Sequence, residues 1–334
     1  MPPPATPEWK GLTDTSGWET WWRFNRDGFL RLRARMDAID PETGSGGEFS
    51  LGRGERIAGG GLSESAVRER VLPSLQRAIG AEHDRQVLRA LLLALSRLEA
   101  SWARPRGVDS ASAVEFYLER GPSELLEASL IALGVARRTD RIDLLAKMLL
   151  ASPSADGPQP GPGIDYRLQS MAALGLGLAA ERGGAAGRQK AAAALLECLR
   201  GPATAPYDLQ VACLIALGLS PVDGCSSSQR GQPSGPDHLC RSVQIGFLST
   251  YLQDPKRHAR LRAQAAVPLA RLARGAEPEN REAVGAALID GLDARGKASP
   301  EVRQGCAMAL GIVGDADDDA LDQAIRDSLE RAAK

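Results

Sequence analysis

The chain has 334 residues, 43% hydrophobic and 25% charged but only 4% aromatic, so any core is built mainly from Leu, Ala, Val and Ile. A formal net charge of -1 gives no positive field to attract a phosphate backbone, which disfavours nucleic acid as a partner. No stretch approaches 18 consecutive apolar residues, which excludes a helical membrane span.

The start, 1–10, carries three consecutive prolines where a secretion signal would carry a basic and then apolar leader. The expected location is the cytoplasm; the alternative is an exported protein whose leader has been trimmed. Residues 1–40 form a Trp- and Arg-rich segment, with Trp9, Trp18, Trp21 and Trp22 inside its first 22 positions. Trp18, Trp22, Asn25, Phe29, Leu32 and Met36 are spaced by threes and fours, the pattern of one helix stripe, and Trp21 flanks it. Arg23, Arg26, Arg31, Arg33 and Arg35 supply a basic remainder. Such a helix caps the apolar end of the repeats downstream of it, binds a partner through Trp18, Trp21 and Trp22, or makes a weak interfacial or nucleic-acid contact that combines Arg with aromatic stacking. Residues 41–62 read as a linker, since 41–61 hold eight glycines.

From residue 63 to 334 one pattern recurs. Ala-rich amphipathic runs pass through Leu95, Leu133, Leu174, Leu217, Leu269 and Leu310, at intervals of 38, 41, 43, 52 and 41 residues. Four of them read Ala-Leu-Gly: Ala132-Leu133-Gly134, Ala173-Leu174-Gly175, Ala216-Leu217-Gly218 and Ala309-Leu310-Gly311. Companion amphipathic runs lie at 71–79, 142–150, 191–199, 243–252 and 283–292. No sustained period-2 alternation marks a strand. The predicted fold is all-α: an α-solenoid of about six antiparallel helix pairs in a right-handed stack, with a capping helix at 320–332. A single pair has too little apolar area to be stable alone, and stacking buries both its faces. Two breaker-rich insertions interrupt the period, seven Pro or Gly in 152–163 and eleven Ser, Gly or Pro in 220–237.

The segments Leu252-Gln253-Asp254-Pro255 leading to Leu261-Arg262-Ala263-Gln264-Ala265-Ala266, and Pro300-Glu301-Val302-Arg303 through Leu310-Gly311, resemble HEAT repeats. The likeness covers roughly 63–332, and the Trp-rich entry segment resembles those of uncharacterised bacterial HEAT-repeat proteins, which implies no defined activity. In that family an Arg often stands seven residues before the leucine of the second helix. The equivalent positions here are Leu88, Leu126, Arg167, Gln210, Arg262 and Arg303, so three of six keep it.

The resemblance implies a protein-binding scaffold, with Arg167, Arg262 and Arg303 either lining a concave groove that takes an acidic peptide or helix, or acting as internal staples. The alternative is an enzyme or enzyme accessory of the HEAT-like lyase group. A di-iron hydroxylase of this class needs several His-Glu pairs, but none of His83, His238 and His258 is followed by Glu. No phosphate-binding loop is present, so no cofactor is expected. Cys225, His238 and Cys240 fall short of a four-ligand metal site; a Cys225–Cys240 disulfide is the other reading of that pair, and it requires an oxidising compartment. Cys198, Cys213 and Cys306 sit in apolar helical patterns and read as packing residues. Asp315 and Asp317–Asp319 suit the N-terminus of the last helix.

Overall fold

A computed structural model describes residue 65 and residues 67–101, 110–151, 165–201, 205–224, 239–294, 298–314 and 319–333. The chain divides into two units, Met1–Gly61 and Leu62–Lys334. The first, with Trp18, Trp21 and Trp22, lies outside the described residues.

All regular structure among the described residues is helical. A five-residue π turn, Val67–Val71, leads into α1 (Leu72–Ala81). Then come α2 (Arg85–Ser101), α3 (Ser110–Arg120), α4 (Ser123–Val135), α5 (Ile142–Leu150), α6 (Tyr166–Ala180) and α7 (Ala185–Arg200). The remainder are α8 (Tyr207–Leu219), α9 (Arg241–Gln253), α10 (Ala259–Ala273), α11 (Pro278–Asp293), α12 (Pro300–Val313) and α13 (Ala320–Ala333). Helix α3 is not among the amphipathic runs named from sequence.

The even-numbered helices form an unbroken series of contacts: α2 packs on α4, α4 on α6, α6 on α8, α8 on α10 and α10 on α12. Odd-numbered helices flank that ladder, α1 against α2, α3 against α4, α5 against α6, α7 against α8, α9 against α10 and α11 against α12. Helix α13 packs chiefly on α11, so it extends the flanking layer.

Four ladder helices begin on a side chain that accepts a backbone N–H. Asp84 accepts from Gln86 and Val87, Asp165 from Leu168, His258 from Arg260 and Ser299 from Val302. Pro122 and Pro206 precede α4 and α8 in extended backbone, the conformation that starts a helix. Within the ladder the buried anchors are Leu95, Leu133, Leu176, Leu217, Leu269 and Leu310, each no more than 1% exposed.

The third anchor corrects the sequence register. Leu174 is only half-buried, whereas Leu176 is fully covered. Lateral packing gives the same alignment. A Cβ added at Gly134, one residue after its anchor, would lie 2.6 Å from the Cα of Gly175, one residue before Leu176. Added at Gly177 it would lie 2.7 Å from the Cα of Ala216, and at Gly218, 2.7 Å from that of Pro268. In each case the residue after one anchor abuts the residue before the next. At 100° per residue these positions lie on opposite flanks of a helix, so glycine on one side lets neighbouring backbones touch. The corrected intervals are 38, 43, 41, 52 and 41 residues.

The start of the 220–237 insertion is tied to α9. Gln244, fully buried on α9, donates to the Ser220 carbonyl at 2.8 Å and accepts from the Val222 N–H at 2.9 Å. Arg241 donates to the Val222 carbonyl at 3.1 Å.

Candidate functional site

The helical period divides each ladder helix into faces. Anchors point at the flanking helices and the residues beside them touch neighbouring ladder helices. The residues two before and two after each anchor therefore face away from both. Two residues before the anchors stand Leu93, Ile131, Leu174, Ile215, Val267 and Met308. Every one is large and apolar, and none is fully buried: four are partly buried, Leu93 and Leu174 of them against the core, while Ile215 is 38% exposed and Met308 59%. Two residues after the anchors stand Arg97, Val135, Leu178, Leu219, Arg271 and Ile312, again all partly or fully exposed. A stripe of large apolar side chains thus crosses all six ladder helices on their uncovered side.

The two edges of the stripe differ. At the N-terminal ends of the ladder helices charges pair off: Arg85 with Glu124 at 3.2 Å, Arg167 with Glu127 at 3.2 Å, and Arg260 with Glu301 at 3.9 Å. The Glu124 and Glu301 carboxyls sit below the usual carboxylate range, chiefly because each accepts its own backbone N–H in the first turn. Towards the C-terminal ends stand Arg97, Arg182, Arg271 and Arg274, all exposed, and the described residues give none of them an acidic partner.

The arginines selected from sequence fall into two groups. Arg262 Nε donates to the Leu252 carbonyl at 2.7 Å, and Arg303 Nε to the Leu292 carbonyl at 3.0 Å. Both carbonyls are one residue from the end of a flanking helix, where no intrahelical donor remains. These half-buried side chains therefore join each flanking helix to its ladder helix, the staple arrangement. In the corrected register their equivalent in α6 is Gln169, not Arg167. Buried Gln169 donates to the Leu149 carbonyl at 3.0 Å and the Ala151 carbonyl at 2.8 Å, the same position at the end of α5. Arg167 is exposed at the edge and engages buried Glu127 of the preceding ladder helix. The structure does not bring Arg167, Arg262 and Arg303 together. Sequence reasoning missed the apolar row because its members, read without the register, look like core residues.

A second polar set joins α8 and α9. The Tyr251 hydroxyl donates to Gln210 Oε1 at 2.8 Å, and the Arg257 guanidinium lies 4.0 Å from the Tyr251 ring centroid. Burial raises the Tyr251 hydroxyl above its ordinary range. Cys198 on α7 and Cys213 on α8 share a hydrogen bond; it lowers the Cys198 thiol, while the same bond and burial push Cys213 well up. Cys306 is raised to about 11 by burial. Cys198, Cys213 and Cys306 are free and Cys240 is disulfide-bonded; Cys225 and His238 lie outside the described residues. Among the described residues no group of three or more His, Cys, Asp or Glu is placed to hold a metal ion, and no helix is long and apolar enough to cross a membrane. Asp319 caps α13, accepting from the Asp322 N–H at 2.8 Å; 315–318 lie outside the described residues.

No family model matches the chain, and none of the curated proteins compared with it matches.

Proposed function

We propose that the chain is a non-catalytic protein-binding scaffold: six helix pairs of a HEAT-type solenoid whose uncovered ladder face receives a protein or peptide. The observation that carries this reading is the row Leu93, Ile131, Leu174, Ile215, Val267 and Met308, apolar in six of six copies yet never fully buried. Leu93 and Leu174 pack against the core, but Ile131 and Val267 are partly buried without doing so and Ile215 and Met308 are exposed, so the recurrence there calls for a partner. Polar contacts between successive copies support the stacking: Arg85 to Glu124, Arg167 to Glu127 and Arg260 to Glu301 join one ladder helix to the next, and Arg260 and Glu301 hold the same register position. The disulfide at Cys240 favours the exported alternative over the cytoplasmic one, because such bonds persist in oxidising compartments.

The test is quantitative affinity capture from an extract of the source cells, comparing the full chain with an Ile215→Glu, Met308→Glu variant. Both sites are exposed, so melting should be unchanged, and proteins captured by the wild type should drop out of the variant. Identical capture profiles from the two would overturn the scaffold reading.

A further inference from the structure

The two edges of the apolar row carry different charge, and together they define the occupant. Most edge charges at the N-terminal ends of the ladder helices are paired within the fold, through Arg85–Glu124, Arg167–Glu127 and Arg260–Glu301, with Asp208 of α8 an exposed exception. At the opposite edge three carboxylates are already engaged, Glu99 with Arg138 at 3.5 Å, Glu181 with Arg137 at 3.8 Å and Asp223 with Arg188 at 2.6 Å, while Glu277 is exposed. Arg97, Arg182, Arg271 and Arg274 remain there, exposed and without an acidic partner among the described residues. The stripe is therefore apolar along its middle and cationic along one side.

Resting on the scaffold reading, we infer that the occupant is an acidic amphipathic helix lying across the ladder, centred on Leu174, Ile215 and Val267, its carboxylates towards Arg182, Arg271 and Arg274. The spacing suits a helix. Packed helices stand about 8–10 Å apart, and seven residues of a partner helix rise about 10.5 Å while returning to the same face. One heptad of the partner thus advances it by about one ladder helix. A helix of about 20 residues spans roughly 30 Å, enough to meet three successive members of the row. Apolar residues at i, i+3 or i+4, and i+7 would meet the row, and Glu or Asp on one flank would meet the arginines. A basic helix would meet unscreened positive charge on that edge, while on the other Asp208 is an exposed carboxylate with no ion pair among the described residues.

The test uses the full chain and three synthetic peptides of about 21 residues, long enough by the same rise per residue. One is an amphipathic Leu/Ala helix with Glu along one flank, the second carries Lys in place of Glu, and the third has the first peptide's composition scrambled to destroy the apolar stripe. Binding is read by fluorescence anisotropy at two salt concentrations. The Glu peptide is expected to bind at least about tenfold more tightly than either other peptide, and to lose about tenfold with Arg271→Gln, Arg274→Gln. Ile215→Glu should abolish binding without shifting the melting temperature. If the Lys peptide binds as tightly or more tightly, still sensitive to Ile215→Glu, the acidic class is overturned while the scaffold surface stands. If no peptide shows binding sensitive to Ile215→Glu, the row is not the docking surface for such a helix and this inference fails. Affinity capture with the Ile215→Glu, Met308→Glu variant then decides the scaffold reading separately. A 20-nucleotide single-stranded DNA that binds through the arginines but ignores Ile215→Glu would likewise overturn the inference.

Discussion

Gln169, Arg262 and Arg303 perform one task with two chemistries. Each reaches the penultimate carbonyl of a flanking helix, where the helix has run out of its own donors. Gln169 is the more exposed to loss because it is buried and serves two carbonyls. Gln169→Ala is expected to cost about 1–3 kcal/mol, read as a lower urea midpoint with unchanged slope, while Gln169→Arg should retain much of the stability. The thiols make a second prediction at this scale. Cys198 is half-buried and its thiol is lowered by the bond from Cys213, whereas Cys213 and Cys306 are buried and raised. Brief treatment of the native chain with iodoacetamide should label Cys198 first, as peptide mass spectrometry would show; equal labelling of Cys306 would contradict its burial. The Cys306 shift also has a sign. Its thiol stays neutral in the fold to about 11 against an ordinary thiol value of 9.0, so the stability it contributes is complete below pH 9 and declines between 9 and 11.

At the scale of the element, the corrected register of α6 separates two leucines that sequence alone treats alike. Leu176→Ala removes a fully buried side chain and is expected to cost about 2–5 kcal/mol, within the range of large-to-small core substitutions. Leu174→Ala trims a partly buried residue at the margin of the core and should cost less, about 1–2 kcal/mol. Chemical denaturation of both variants decides between the registers. Much of the helical pattern was legible: anchors at Leu95, Leu133, Leu217, Leu269 and Leu310, the insertions between α5 and α6 and between α8 and α9, and the last helix. Two things were not. Helix α6 contains Ala173-Leu174-Gly175-Leu176-Gly177, where two Leu-Gly pairs two residues apart offer competing alignments, and the burial of Leu176 and the close approaches of Gly134 to Gly175 and Gly177 to Ala216 choose. Helix α3 is short, and its run Ser110-Ala111-Ser112-Ala113 carries little apolar weight. The solvent-facing row was hidden for a related reason. Large apolar residues read as core until a register shows that they fall about 160° from the anchors.

Across the whole of the described ladder, each even-numbered helix packs on the next even-numbered one, and the terminal copies differ as that arrangement requires. Gly311, one residue after the last anchor, is exposed and a Cβ there would meet nothing within 4 Å, because no seventh ladder helix packs beyond α12. Its counterparts Gly134, Gly177 and Gly218 are buried against the next backbone. Nearest-neighbour packing makes stability a sum of helix-pair terms and interface terms, so weakening one central interface should uncouple the two halves. Gly177→Val places a branched side chain where even a Cβ would come within 2.7 Å of the Ala216 backbone, and neither backbone has room to retreat. Gly311→Val, at the matching position with open space beside it, is the control and should change stability by no more than the intrinsic helix preference of the residue, within about 1 kcal/mol. Urea unfolding monitored by hydrogen exchange should then show α2–α6 and α8–α12 losing protection in separate transitions in Gly177→Val, but together in the wild type and in Gly311→Val. A single transition at a lower midpoint in Gly177→Val would mean that the flanking contacts, α5 on α7 among them, are strong enough to hold the halves together without the glycine seam.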